Sequence, residues 1–258
     1  MTCATAPAHW APQARLPHPV MRFLRVRLER ALEEPAARLH LVWPMVLGSP
    51  RLREVHPEGM PLEILLREGG RTLAALGCHD PERAWREALE AFPDTTDRAP
   101  GGWLPHRLWE PLAEPVSLRC GVMLLALTGQ PLDDRYRLAA SATLFNTALF
   151  HEAHDALEPL WNEAAGETRD GLQGLILMTA GFFHQQVANG PGMLALWPEA
   201  QELLEPLEGI LKTPWGRIGF EGALQAMNQR LAWLRDQEPG ADQAPLWTLP
   251  RPEWEWLP

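Results

Sequence analysis

Apolar residues recur at helical spacing through most of the second half of the chain. Val116–Thr128 reads as a buried helix, and one long helical pattern runs from Arg135 to Trp161. A break at Ala165-Gly166 is followed by a second helix over about Thr168–Ala188, which Asn189-Gly190 is placed to stop. Met193–Leu211 is helical but interrupted by Pro198 and Pro206. Phe220, Leu224, Met227, Leu231 and Leu234 fall on one stripe of a further helix. The first half is more mixed. Pro61–Glu68 and Arg71–Cys78 are apolar runs around Gly69-Gly70, which reads as a hairpin, and Arg38–Leu47 reads as another strand. Asp80-Pro81 suits the cap and first turn of a helix through Phe92.

The expectation is a mainly α protein, an antiparallel helical bundle preceded by a small α+β region. For that first region a loose helical extension stays open as the alternative. Its parts would be a disordered N-terminus over 1–19, the α+β or irregular helical region over 20–100, and a helical domain over 106–236. A Pro/Gly-rich break at Pro93–Pro105 separates the last two, and a Pro/Trp-rich tail follows over 237–258. That tail could dock on its own domain or on a partner.

Composition alters this picture in one respect. The net charge of −10 is uneven: residues 1–137 carry 17 acidic and 17 basic side chains, whereas 138–212 carry 10 acidic against Arg169 and Lys212. A segment so acidic repels phosphate backbones, so no nucleic-acid partner is expected. The longest apolar runs are too short to span a bilayer, so no membrane partner is expected either. Arginine in place of lysine at all but one basic position reads as genome composition. Cys3, Cys78 and Cys120 are few and far apart, which suggests neither a disulfide framework nor a cysteine metal site. The N-terminus lacks the pattern of a secretory signal. A cytoplasmic, reducing location is therefore expected.

Candidate chemistry concentrates in Phe150–Trp161. His151-Glu152-Ala153-His154 is not the HExxH zinc-protease motif, because its histidines are three apart and miss the one-turn spacing. On a helical wheel Leu149, Ala153, Ala156 and Leu160 form a core face, and His151, Asp155 and Asn162 point roughly opposite, toward solvent. His154, Glu158 and Trp161 share a half-apolar flank, so the imidazole and the carboxylate, one turn apart, are expected to be sheltered beneath the indole. A partly buried carboxylate needs hydrogen bonds or a cation, and a His–Glu pair at i, i+4 supplies one. If the hairpin turns near Gly166, Glu158 lies opposite Gln173 and His184 opposite Thr147. Gln173 and His184 sit too far apart along the helix to join one site.

The run Phe145-Asn146, Phe150-His151-Glu152-Ala153-His154-Asp155-Ala156-Leu157-Glu158-Pro159-Leu160-Trp161, with Leu172-Gln173-Gly174-Leu175-Ile176, His184 and Asn189-Gly190 behind it, resembles the domain of unknown function 309 family. The resemblance covers about Leu138–Leu211. It implies a small all-α domain of packed antiparallel helices, and members are described as metal-dependent hydrolases. Carried across, its motif positions are Glu152, His154, Asp155, Glu158, Trp161, Gln173 and His184. Asp155 stands where the family usually has a glutamate, and Pro159 within the helix is unusual for it.

Two functional readings follow. In one, the cluster is a non-enzymatic polar network that fixes helix register or binds a small molecule or protein partner. In the other, the chain is a metal-dependent hydrolase that holds a divalent metal through His154 and Glu158, with Glu152 as third ligand or general base. A half-apolar flank also makes a homodimer possible on either reading. Serine or cysteine hydrolysis is disfavoured, because no serine stands in a GxSxG elbow and Cys120 lies in an apolar run.

Overall fold

The computed structural model describes residues 10–75, 80, 83, 96–99, 102–105, 112–127, 134–238 and 240–257. They divide into two compact units. One lies within Leu16–Leu132, and the other combines the described part of Met1–Arg15 with Asp133–Pro258. No described helix is long and apolar enough to cross a membrane.

The first unit is built on α1 (His18–Glu33), α2 (Leu39–Leu47), α3 (Pro50–Val55), α4 (Leu62–Ala75), a β1–β2 hairpin and α5 (Ala113–Leu127). Helix α2 is apolar nearly all round and buries Leu41, Val42, Trp43, Pro44, Val46 and Leu47. It packs against α1, α4 and α5. Two strand expectations fail here. Arg38–Leu47 is helical because a segment buried on every side reads alike as helix or strand, and its neighbours decide. Residues 62–75 of the 61–78 run form α4, not a hairpin, and Gly69 and Gly70 fall on its buried helical stripe of Ile64, Leu65 and Leu73; residues 76–78 lie outside the described residues. The strands of this unit lie instead at Thr96–Ala99 (β1) and Gly102–Pro105 (β2), paired antiparallel with Thr96 opposite Pro105, inside the Pro/Gly-rich break. Asp80 Oδ1 accepts from the Arg83 N–H at 3.1 Å, as an N-cap would. Most of the expected 80–92 helix lies outside the described residues.

The second unit holds α6 (Asp134–Asn146), α7 (Phe150–Glu163), α8 (Gly166–Gln186), α9 (Gly190–Leu204), β3 (Ile210–Thr213), β4 (Gly216–Gly219), α10 (Glu221–Arg235) and β5 (Glu255–Leu257). It is mainly α, with one three-stranded antiparallel sheet in the order β3-β4-β5. Consecutive helices α6 to α9 pack on one another. The α8–α9 contact is close because small residues allow it: a Cβ on Gly181 would strike the Trp197 indole, and one on Gly174 would come within 2.6 Å of Leu204 Cγ.

The long 135–161 pattern is in fact two helices. Thr147 to Leu149 separate them, Ala148 takes a left-handed φ of 61°, and its carbonyl accepts from Gln186 Nε2 at 2.8 Å. Gln186 therefore faces Ala148, close to one turn beyond the register expected for the hairpin. The Met193–Leu211 pattern likewise splits, into α9, a short turn at Glu205–Leu207 and strand β3.

The N- and C-terminal segments of this unit fold back onto it. Trp10 contacts Trp247 at 5.0 Å and Phe150 at 6.2 Å, both edge-on, so this part of the 1–19 region is packed against the unit. In the tail, Trp254 stacks on Phe145 at 4.0 Å. Asn146 clamps the Trp254 backbone with two bonds, Nδ2 donating to its carbonyl at 2.7 Å and Oδ1 accepting its N–H at 2.8 Å. Arg230 of α10, wholly buried, donates to Gln185 Oε1 and to the carbonyls of Ala226, Leu246, Leu249 and Pro250 at 2.9–3.4 Å. The tail thus docks on its own unit. Replacing Arg230 by methionine strands these acceptors. Arg230→Met should lower the urea-unfolding free energy by about 3 kcal/mol or more and speed tryptic cleavage at Arg251. An unchanged unfolding midpoint would refute this account of the tail.

Candidate functional site

Helix α7 places the candidate residues. Leu149, Ala153, Ala156, Leu157 and Leu160 are buried, as the apolar side of the wheel requires, and this anchors the rotation of the helix. The polar side departs from the wheel. Asp155, expected toward solvent, is 2 % exposed, and Glu152 is 1 % exposed. A wheel shows which residues share a face but not how many faces are covered, and α7 is flanked by both α6 and α8.

The buried Asp155 carboxylate is the hub. His151 Nδ1 lies 3.0 Å from its Oδ2 and His154 Nδ1 3.3 Å from its Oδ1. On the far side of the His154 ring, Nε2 is 3.9 Å from Glu158 Oε1. The side chains of His151, His154 and Glu158 each keep about a quarter of their surface, so the cluster is closed at Asp155 and open at its rim. Burial by itself would raise the Asp155 carboxyl. Hydrogen bonding and charge from the two imidazoles outweigh that and hold it at about 2.

His154, Asp155 and Glu158 can each turn one donor atom to within 4.8 Å of the others, and among the described residues no other such group of three forms. Two donors on one transition-metal ion at about 2.1 Å can be no more than about 4.2 Å apart. His154 Nε2 and Glu158 Oε1, 3.9 Å apart, already lie within that limit, whereas Asp155 faces the other nitrogen of the ring.

The other expected members stand elsewhere. The Trp161 indole does not roof the pair; it stacks with the Arg169 guanidinium at 4.1 Å, while Arg169 also donates to the Trp161 and Ala164 carbonyls. Arg169 lies in the first turn of α8 and holds the indole at the hairpin end. Gln173 is half-buried on α8 and makes no hydrogen bond to Glu158. His184 belongs to the α8–α9 corner, where its Nδ1 faces Asn189 Nδ2 at 2.8 Å. The end of α8 falls just before the expected stop: Ala188 takes a left-handed φ of 53°, the Asn189 N–H donates to the His184 carbonyl at 2.8 Å, and the Asn189 side chain caps α9 by accepting from the Gly192 N–H. His151 is the member that sequence reasoning left out. Its one-turn spacing to Asp155, the same spacing that singled out His154 and Glu158, could have found it.

This architecture is that of a small helical domain with a histidine–carboxylate cluster on one helix. Residues 138–196, from α6 into α9, match the family model described as Domain of unknown function (DUF309). No curated protein and no solved structure matches the chain.

The hub predicts a pH dependence. A carboxyl held at about 2 against an ordinary 3.8 stabilises the fold fully above about pH 4, and the contribution is lost as pH falls toward 2. Asp155→Asn should therefore cost about 2 kcal/mol at pH 7 and flatten the loss of stability below about pH 4, read by urea unfolding. Equal midpoints for both proteins at pH 7 would contradict the hub.

Proposed function

We propose that the second unit is a binding module. Its Asp155 cluster first fixes α7 as a polar network, and then offers a small-cation site at the rim, where a divalent metal is the ligand whose chemistry fits. One observation carries this reading. His154 Nδ1 faces the Asp155 carboxylate at 3.3 Å, and its Nε2, on the far side of the ring, lies 3.9 Å from Glu158 Oε1. Two donor atoms so close suit a metal ion drawn between them. Asp155 then has the role that a buried carboxylate takes behind a ligating histidine, fixing tautomer and ring orientation. The acidity of 138–212, net −8, favours cation uptake electrostatically. His154 and Glu158 would be the first ligands.

A metal-dependent hydrolase is the second reading. What favours it is the solvent-open rim, where a bound ion would keep room for water. Against it, Glu152, the residue expected as general base, is buried and is not among the groups whose donor atoms converge.

Calorimetric titration of chelator-stripped protein with zinc or manganese separates these outcomes. We expect about one equivalent bound, a stabilisation of about 2.7 kcal/mol at a hundredfold excess over Kd, and at least about tenfold weaker binding in His154→Ala and in Glu158→Gln. Neither heat nor thermal stabilisation with the wild-type protein would end the cation-site reading. Metal-stimulated cleavage of a simple ester or phosphoester, lost in His154→Ala, would replace the binding module with the hydrolase.

A further inference from the structure

The α8–α9 corner holds a hydrogen-bonded chain whose protonation state is set by its ends. Asn189 Oδ1 accepts from the Gly192 N–H at 3.1 Å, so its Nδ2 faces His184 Nδ1 at 2.8 Å. An amide nitrogen only donates, so Nδ1 must present a lone pair and the ring is neutral, with its proton on Nε2. Turning the amide over does not help, because its nitrogen would then oppose the Gly192 N–H. Burial, and after it the charge of Arg15, push the His184 imidazole below its ordinary range, in agreement with that tautomer.

Arg15 ends the strap of residues 10–15. The strap is tied to this same corner, since the Gln13 N–H donates to the Gln186 carbonyl at 2.7 Å. Its other end is Trp10, seated against Phe150, the first residue of α7. The charged group acting on His184 from the strap is Arg15. From α9 it meets the uncharged Asn189 and Gly192, and Phe183, beside it, contacts the His151 ring of α7. Among the described residues no carboxylate offsets these two effects.

We propose that His184 is a pH-operated latch: proton uptake breaks the Asn189 chain, sets a second positive charge against Arg15, and releases residues 10–15 from the end of α8. A folded pKa below the ordinary 6.5 gives the sign. The latch is fully closed above about pH 6.5, weakens as pH falls through that value, and opens once the folded ring protonates. The strap includes the residue seated on α7, so opening frees the start of the helix that carries the Asp155 cluster. The inference is independent of whether that cluster binds a cation.

Amide exchange at Gln13, followed by NMR and corrected for intrinsic rates, tests the latch. Protection should fall at least about tenfold between about pH 7.5 and about pH 5 in the wild-type protein. In His184→Gln, whose side-chain oxygen can accept from Asn189 but cannot titrate, protection should persist without that dependence. Constant protection in the wild type, or the same fall in His184→Gln, would overturn the latch. Should His184→Gln not fold, the His184 titration in Arg15→Gln decides. Its midpoint should move up toward 6.5, and an unmoved midpoint removes Arg15 from the device and the proposal with it.

Discussion

A guanidinium with no carboxylate beside it among the described residues stands within the core of the second unit. Arg230 is fully buried, and its five hydrogen bonds all go to neutral oxygens. Burial lowers its pKa to about 10, so it stays charged at neutral pH. An ion taken from water without a counter-ion is tolerated only when its hydrogen bonds are complete. Here they are completed by Gln185 of α8, by α10 itself and by the carbonyls of the tail. The aromatic faces of Trp10 and Phe182, 5.5 and 5.6 Å from the cation, complete its surroundings. The tail therefore supplies backbone carbonyls that a buried cation requires, and the cation in turn holds a Pro-rich segment that has little secondary structure of its own.

The same logic, with signs reversed, governs the candidate site. Asp155 is a buried anion that keeps its charge because two imidazoles face it. The cost of burying it fixes the orientation of both rings, and so decides which imidazole nitrogen is left for the rim. Rigidity at the hub and openness at Glu158 follow from one helix lying between two neighbours along part of its length. Trp161, pulled away by Arg169, leaves that rim uncovered by its indole.

The polar corner of His184 and the polar hub of Asp155 differ in kind. At the hub, donors surround a group that gains from being charged. At the corner, the partner can only donate and the neighbouring charge is positive, so the ring gains from being neutral. The two clusters of this unit thus favour opposite states, a charged carboxylate at the hub and a neutral imidazole at the corner.

Much of the second unit is legible in the chain because its signals are local. Helical spacing marks α8 and α10, the Leu149–Leu160 stripe orients α7, and the His154–Glu158 spacing brings an imidazole beside a carboxylate within one turn of α7. Three things are not local. The break at Ala148 is held by Gln186, 38 residues away. The fate of the tail rests on Asn146 and Arg230, far from it in sequence. The burial of Asp155 depends on helices on both sides, whereas a wheel presumes one covered face. In the first unit Arg38–Leu47 and the run around Gly69-Gly70 carry apolar patterns that helix and strand can both satisfy, and their packing on each other and on the neighbouring helices settled them as helices. The sequence by itself determined which residues are apolar, where one turn brings an imidazole to a carboxylate, and where charge accumulates. Tertiary structure alone decided which charges are buried, because burial belongs to the neighbours a residue acquires and not to the residue.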